Sequence, residues 1–157
     1  MPWLRRLLAV VGLASAILWL SAGAVVAGKP VPVPPPPDLT VDCGIGVGPA
    51  VLHASVDKEH MKSTTLADGT IVQKIEGRFV STLAGNGKVL TVNSSGPATV
   101  YIRTDGSVTA VLRGRTLYIT PTLDAVWLYT GLVVFDGNTG LVISHDGSAT
   151  DLCAQLR

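Results

Sequence analysis

The side chains able to do acid–base, nucleophilic or metal chemistry are few and widely separated. The three histidines, His53, His60 and His145, lie 7 and 85 positions apart, and neither spacing matches a metal-binding motif. Ser144-His145-Asp146 contains the residue types of a serine-hydrolase triad, but neighbours in a strand point to opposite faces of a sheet and cannot form that relay. We therefore predict no catalytic residue, no metal site and no cofactor.

Two other segments hold polar side chains at suggestive spacings. Residues 136–140, DGNTG, are similar to the start of a calcium-binding loop, but they lack the further acidic ligands and the closing Glu, so they predict a hairpin turn. Arg103, Arg113 and Arg115 cluster around another predicted hairpin, where they could meet an anion. Because no aromatic side chains accompany them for stacking, we interpret them as a solvated face.

The charge balance excludes one class of partner. The 157-residue chain carries 12 basic and 11 acidic residues, and only 15% of its residues are charged. Proteins that bind nucleic acid through a basic field carry a clear excess of Lys and Arg. We therefore predict no nucleic-acid partner.

The chain has two cysteines, Cys43 and Cys153, which lie near opposite ends of the part expected to fold. They form no CxxC motif, which argues against a redox pair, and no histidine is adjacent to either, which argues against metal ligation. We predict a structural disulfide that joins the two ends of one domain.

Residues 1–27 have the three-part order of a secretory signal peptide: a basic head with two arginines, an apolar run without charge, and a stretch of small residues. We predict cleavage between Ala27 and Gly28, with cleavage after Ala24 as the alternative. An uncleaved membrane anchor stays open, because residues 7–27 are 21 uncharged residues and about 20 suffice to span a bilayer.

Residues 28–42 are predicted to be a Pro-rich spacer that precedes a single β-domain of residues 43–157. Six of the ten residues from 29 to 38 are Pro, a composition that favours extended polyproline II and opposes pairing in a sheet. With the export signal, this organisation predicts a secreted or extracytoplasmic protein. Its only membrane contact would be the N-terminal segment, if that segment stays uncleaved.

Apolar and polar residues alternate in short runs from about residue 50 onward. Segments 98–103 and 115–120 show the period of two that is typical of half-buried strands. Similar runs lie near 51–56, 70–75, 77–83, 87–92, 107–113, 125–135 and 139–145.

Turn residues separate these runs. Asp-Gly pairs at 68–69, 105–106, 136–137 and 146–147 predict hairpin turns. The short polar segment 57–66 is predicted to be a loop with at most one helical turn. Strands that recur every 8–12 residues favour an all-β fold, a small antiparallel β-barrel with a β-sandwich as the alternative, preceded by the signal helix and the spacer.

Residues 125–135, AVWLYTGLVVF, are apolar on both faces of a predicted strand. A strand with two apolar faces is normally covered on each side. The cover is either the N-terminal loop near Cys43, or a ligand or second copy of the chain, so we consider a homo-oligomer through this strand possible.

From about Gly77 onward the chain resembles small, exported, uncharacterised β-rich proteins of actinobacteria. The similar segments are 105–107 (DGS), 114–115 (GR), 128–131 (LYTG) and 151–154 (DLCA). The resemblance implies export and β structure, and it carries no activity. We expect a non-catalytic extracytoplasmic binding or structural domain, and the alternative is a small barrel enzyme or carrier acting on an apolar ligand.

Overall fold

The computed structural model describes residues 29–157, so the predicted signal and its cleavage site at Ala27 and Gly28 lie outside the described residues. Nine antiparallel strands form one sheet, and a short helix ends the chain, which confirms the all-β prediction. The elements are β1 Val31–Pro32, β2 Leu39–Asp42, β3 Pro49–Thr65, β4 Ile71–Gly85, β5 Lys88–Asn93, β6 Ala98–Ile102, β7 Val108–Ile119, β8 Val126–Asp136, β9 Val142–Asp151 and α1 Leu152–Gln155.

The β3–β4 hairpin has the two longest strands of the sheet, 17 and 15 residues, and each of them pairs with two neighbours in succession along its other edge. β2 pairs with the first part of β3, and β1 pairs near its end. Likewise β6 pairs with the first part of β4, and β5 pairs with its last part. The order then continues through β7 and β8 to β9.

Four glycines lie side by side across the sheet and mark the line where it bends. Gly131 pairs with Gly114 on one side and with Gly147 on the other, and Gly96 lies beyond Gly114. The φ angles of Gly131 and Gly147 are 120° and 118°, which side chains rarely permit. A Cβ atom on Gly131 would also overlap the carbonyl oxygen of Asp146. These four residues, the glycine line, therefore combine a close approach of neighbouring backbones with an unusual conformation.

At the glycine line the sheet folds over itself. Tyr118 pairs with Trp127, so Phe135 lies eight positions further along β8, about 26 Å away in a straight strand. The ring centroids of Tyr118 and Phe135 are nevertheless only 5.2 Å apart. Across the same line, Tyr129 and His145 also have centroids 5.2 Å apart. The fold therefore brings the two halves of these strands into contact.

β8 buries one of its faces before the glycine line and the other face after it. Val126 and Leu128 belong to the main core, whereas Val133 and Phe135, which alternate the other way, are buried outside that cluster. β8 is hydrogen-bonded to β7 on one edge and to β9 on the other. Contact with a second copy through residues 125–135 stays a prediction, and it would have to use a face of the strand.

The main core lies where the two ends of the described chain meet. Cys43 and Cys153 form the predicted disulfide, with their Cα atoms 5.2 Å apart and 110 positions between them in sequence. Asp151 caps α1 by accepting a hydrogen bond from the Ala154 N–H at 3.0 Å. The buried residues around the disulfide are Val41, Ala50, Leu52, Leu83, Val92, Val126, Leu128, Leu152 and Leu156. Such a disulfide is typical of an oxidising compartment outside the cytosol.

The predicted β-barrel is wrong. Within residues 29–157 the strand order runs from β1 to β9 without a pairing that joins its two ends, so the sheet stays open. The interior that an apolar ligand would have occupied in a barrel is therefore not formed. The sheet instead buries its apolar side chains by bending onto itself, and a single sheet supplies both packed layers.

Three local predictions are also wrong. Residues 57–66, expected to be a loop with at most one helical turn, lie almost entirely within β3. Asp146-Gly147, expected to be a hairpin turn, lies inside β9, where Gly147 belongs to the glycine line. Residues 29–38 were expected to stay out of the sheet, but Val31–Pro32 pairs with β3. Leu39–Asp42, at the end of the predicted spacer, pairs with β3 as well. Pro32 lies in an edge strand, where its missing N–H is tolerated.

Candidate functional site

The three histidines lie at separate places on the sheet. His53 Nδ1 lies 2.6 Å from Asp38 Oδ1, and more than half of each side chain is exposed. His60 pairs across the β3–β4 ladder with Glu76, and His145 lies against the ring of Tyr129. Among residues 29–157, no three His, Cys, Asp or Glu side chains come together in a way that could hold a metal ion.

A depression of about 470 Å³ lies between the β6–β7 and β8–β9 turns. Asn138 ties these turns together, because its Oδ1 accepts from the Val108 N–H at 2.7 Å and its Nδ2 donates to the Gly106 carbonyl at 3.0 Å. Hydrogen bonds from Ser107 lower the pKa of Asp105, and the backbone N–H of Asn138 lowers the pKa of Asp136. Both carboxylates thus close their own turns, as the DGNTG segment predicted for the second one.

A second surface is defined by its positive charge. Lys58 lies directly opposite Arg78 in the β3–β4 ladder, and Lys62 lies directly opposite Lys74. Residues opposite each other share a face, and residues two or four positions apart along a strand share it too. These four exposed side chains therefore project from one face, which we call the cationic face.

The cationic face places like charges opposite each other, and a single carboxylate lies between them. Like charges directly opposite each other in a sheet destabilise it, by roughly 0.2–1 kcal/mol per pair. Glu76 lies between the two cationic pairs, opposite His60. Within residues 29–157, however, the only ion pair closer than 4.0 Å is that of His53 and Asp38. Four positive charges therefore share a small surface with one carboxylate that contacts none of them closely.

A depression of about 260 Å³ lies at the hairpin end of the cationic face. Lys62, Thr64 and Lys74 line it together with the apolar residues Leu66 and Val72. Leu66 is 45% exposed. The depression thus offers two ammonium groups and a hydroxyl beside accessible hydrocarbon.

Arginines of β7 extend the positive charge towards the glycine line. β7 follows β6, and β6 follows β4 in the sheet, so alternation places Arg113 on the same face as Lys74. Arg115 is also exposed, and its Nε donates to the Asn93 carbonyl at 2.8 Å. Arg113 and Arg115, interpreted from sequence as a solvated face, are exposed. Arg103 is held apart by a hydrogen bond to Thr109 at 2.9 Å.

A partly buried carboxyl group lies on the other face of β3. Burial, and to a lesser extent the charge of Asp57, raises the pKa of Glu59 from 4.5 to about 7. Asp57 Oδ1 accepts from the Glu59 N–H at 3.1 Å, whereas its Oδ2 is buried and receives no hydrogen bond from the described residues. Glu59 is consequently only partly ionised at neutral pH and offsets little of the neighbouring positive charge.

No protein-family model matches this sequence, and no curated protein or solved structure shows a significant similarity to it. In the part of the chain from residue 29 onward, no helix has the length and apolar character needed to cross a bilayer.

Proposed function

We propose that the chain is an exported, non-catalytic binding domain, and that its cationic face binds anionic groups carried by a partner outside the cytosol. The observation that carries the proposal is the placement of Lys58 opposite Arg78 and of Lys62 opposite Lys74. Each pair lowers stability unless an anion lies between its members. A bound anion would convert both repulsions into attractions.

The rest of the molecule supports this role. The Cys43–Cys153 disulfide suits an oxidising compartment, and the signal-like residues 1–27 supply a route to it. The four cations lie on the hydrogen-bonded ladder of the β3–β4 hairpin. Because their backbone is already ordered, binding a ligand costs little backbone entropy.

Binding to a soluble polyanion tests the proposal. Fluorescent dextran sulfate is titrated with the oxidised protein while NaCl is raised from about 20 mM to about 300 mM, a range over which surface charges become strongly screened. We expect affinity to fall steeply with salt. The Lys58→Gln/Arg78→Gln variant should bind at least about tenfold more weakly, since each exposed cation contributes roughly 1 kcal/mol near a charged surface.

The matched control removes the same charge elsewhere. Lys88 is the first residue of β5 and lies beside the end of β4 that is far from the cationic face. Arg157 is the last residue of the sequence. Both side chains are exposed, and the Lys88 ammonium contacts the Arg157 carbonyl. Lys88→Gln/Arg157→Gln should bind nearly as well as the parent protein. An equal loss in both double variants would show that net charge alone governs binding, and it would refute a specific cationic face.

Export is tested separately by intact mass. The protein recovered from outside the cytosol should lack residues 1–27, begin at Gly28, and weigh two hydrogen atoms less than the reduced polypeptide. Recovery of full-length protein in the membrane fraction would instead support the uncleaved anchor. Recovery only in the cytosol, with free thiols, would refute export.

A further inference from the structure

We infer that the partner of the cationic face is a membrane surface rich in acidic phospholipid, with one headgroup seated between Lys62 and Lys74. This inference rests on the proposed function, because it names the anionic partner of the same surface. Two features of the structure favour a lipid surface over a soluble polymer: the make-up of the depression and the layout of the charges. A third, the place where the chain enters the sheet, applies to the chain before residues 1–27 are removed.

The depression between Lys62 and Lys74 is amphipathic. Its two ammonium groups and the Thr64 hydroxyl are donors for a phosphate, and Leu66 and Val72 line the same 260 Å³ space. Leu66 is 45% exposed, although a large aliphatic side chain at a hairpin tip gains nothing from water. A phospholipid places phosphate next to hydrocarbon, whereas a soluble polyanion offers Leu66 no apolar contact.

The charges form a two-dimensional array. The members of each pair are about 5 Å apart across the ladder, and the two pairs are about 13 Å apart along the strands. Arg113 widens the array by two strands, or about 10 Å. A planar layout of this kind matches the headgroups of a bilayer, which present charge in two dimensions.

The chain enters the fold beside this surface. Val31 and Pro32 pair with Met61 and His60, so the residues that precede them meet the sheet at the edge of the strand that carries the cations. In the sequence, residues 7–27 are uncharged and apolar. Before cleavage, or in the alternative form that keeps the anchor, that segment would hold the cationic face within a few residues of the bilayer. Electrostatic attraction and an apolar anchor together bind far better than either does alone.

Vesicle binding tests the inference with the exported, oxidised protein. Phosphatidylcholine vesicles are compared with vesicles that contain about 30% phosphatidylglycerol, and bound protein is measured by flotation. We expect binding to the anionic vesicles only. Lys62→Gln/Lys74→Gln should weaken it about 25-fold, at about fivefold per cation, while Lys88→Gln/Arg157→Gln changes it less than about threefold.

Leu66→Ser separates a lipid from a polymer. Because Leu66 is exposed, this substitution leaves the core intact, and it should weaken binding to anionic vesicles about fivefold by removing buried hydrocarbon. It should leave binding to dextran sulfate unchanged.

The outcomes distinguish this inference from the proposed function. Binding to dextran sulfate without binding to anionic vesicles, or an equal effect of Leu66→Ser on both, would identify a soluble polyanion as the partner and overturn the inference alone. Equal binding to neutral and anionic vesicles would show insertion through apolar residues, which also overturns it. Failure to bind either anionic probe would overturn the proposed function as well.

Discussion

Replacing Glu59 by Gln should make the protein more stable above pH 7 and less dependent on pH. In the folded protein, burial, with the charge of Asp57, raises the pKa of Glu59 from 4.5 to about 7. The folded state therefore holds this proton more tightly than the unfolded state does. Stability contributed by the proton is fully present below pH 4.5 and is lost as the pH rises through 7.

The size of the effect follows from the two pKa values. A pKa that moves from 4.5 to about 7 corresponds to roughly 3 kcal/mol if the whole difference is expressed. Glu59 is only partly buried, so solvent screens part of that cost, and about 1–2 kcal/mol is the realistic loss. Gln has nearly the same shape and no charge, so Glu59→Gln should recover this amount at pH 8 and change little at pH 4.5.

Urea denaturation at several pH values between 4.5 and 8, followed by tryptophan fluorescence, measures the effect. The difference between Glu59→Gln and the parent protein cancels the contribution of the titrating groups that do not interact with Glu59. Asp57→Asn should recover a smaller part, because the Asp57 charge is the lesser cause of the raised pKa. Parallel stability curves for the parent and Glu59→Gln over this range would refute the reasoning.

Three further perturbations test the fold. Gly131→Ala should destabilise the protein by more than about 3 kcal/mol. Gly106 also has a positive φ but faces open space, so Gly106→Ala should cost only about 1 kcal/mol. Equal losses of stability in urea denaturation would contradict the close approach at the glycine line. Cys43→Ser/Cys153→Ser should lower stability by about 4 kcal/mol, and an unchanged melting temperature would be inconsistent with the closed loop. Asn138→Ala removes both bonds between two turns, so it should cost about 1–2 kcal/mol and speed hydrogen exchange there; unchanged exchange would argue against the tie.

Period-two alternation predicts most strands of this fold and the first part of β3, but not the rest of β3. Residues 98–103 and 115–120 place apolar side chains on every second position, so their strands are visible in the sequence. In residues 57–66 both sets of alternate positions are mostly polar. One set holds Lys58, His60 and Lys62, and the other holds Asp57, Glu59, Met61 and Ser63, so apolar residues do not recur at every second position. That stretch is a strand because β4 pairs with it along its whole length, and such long-range pairing is absent from local sequence.

The β-barrel prediction was wrong because closing a sheet into a barrel depends on how sharply the sheet bends, and the residues that bend this sheet are far apart in the sequence. Gly96, Gly114, Gly131 and Gly147 are spaced irregularly in the sequence, and only the strand register brings them into one line. Each glycine alone suggests a turn or a bulge. Together they let the sheet fold sharply, which buries apolar faces without joining the edge strands.

The cationic face was hidden for the same reason. Lys58, Lys62, Lys74 and Arg78 contribute to a nearly neutral overall charge, and the balance of the chain gave no indication of their clustering. A signal was present, since each strand carries cations four positions apart on one face. Recognising it requires 57–66 to be read as a strand, and its pairing with residues 71–78 to be known.

The meeting in one core of residues 41–43 with residues 152–156 has a consequence for biosynthesis. Val41 and Cys43 pack against Leu152, Cys153 and Leu156, and the last of these lies one residue from the C-terminus. Residues 41–43 leave the ribosome or the translocation channel long before residues 152–156 do. The β3–β4 hairpin can pair as soon as it emerges, but the core must wait for residues 152–156, and the early strands stay exposed to chaperones and proteases until then.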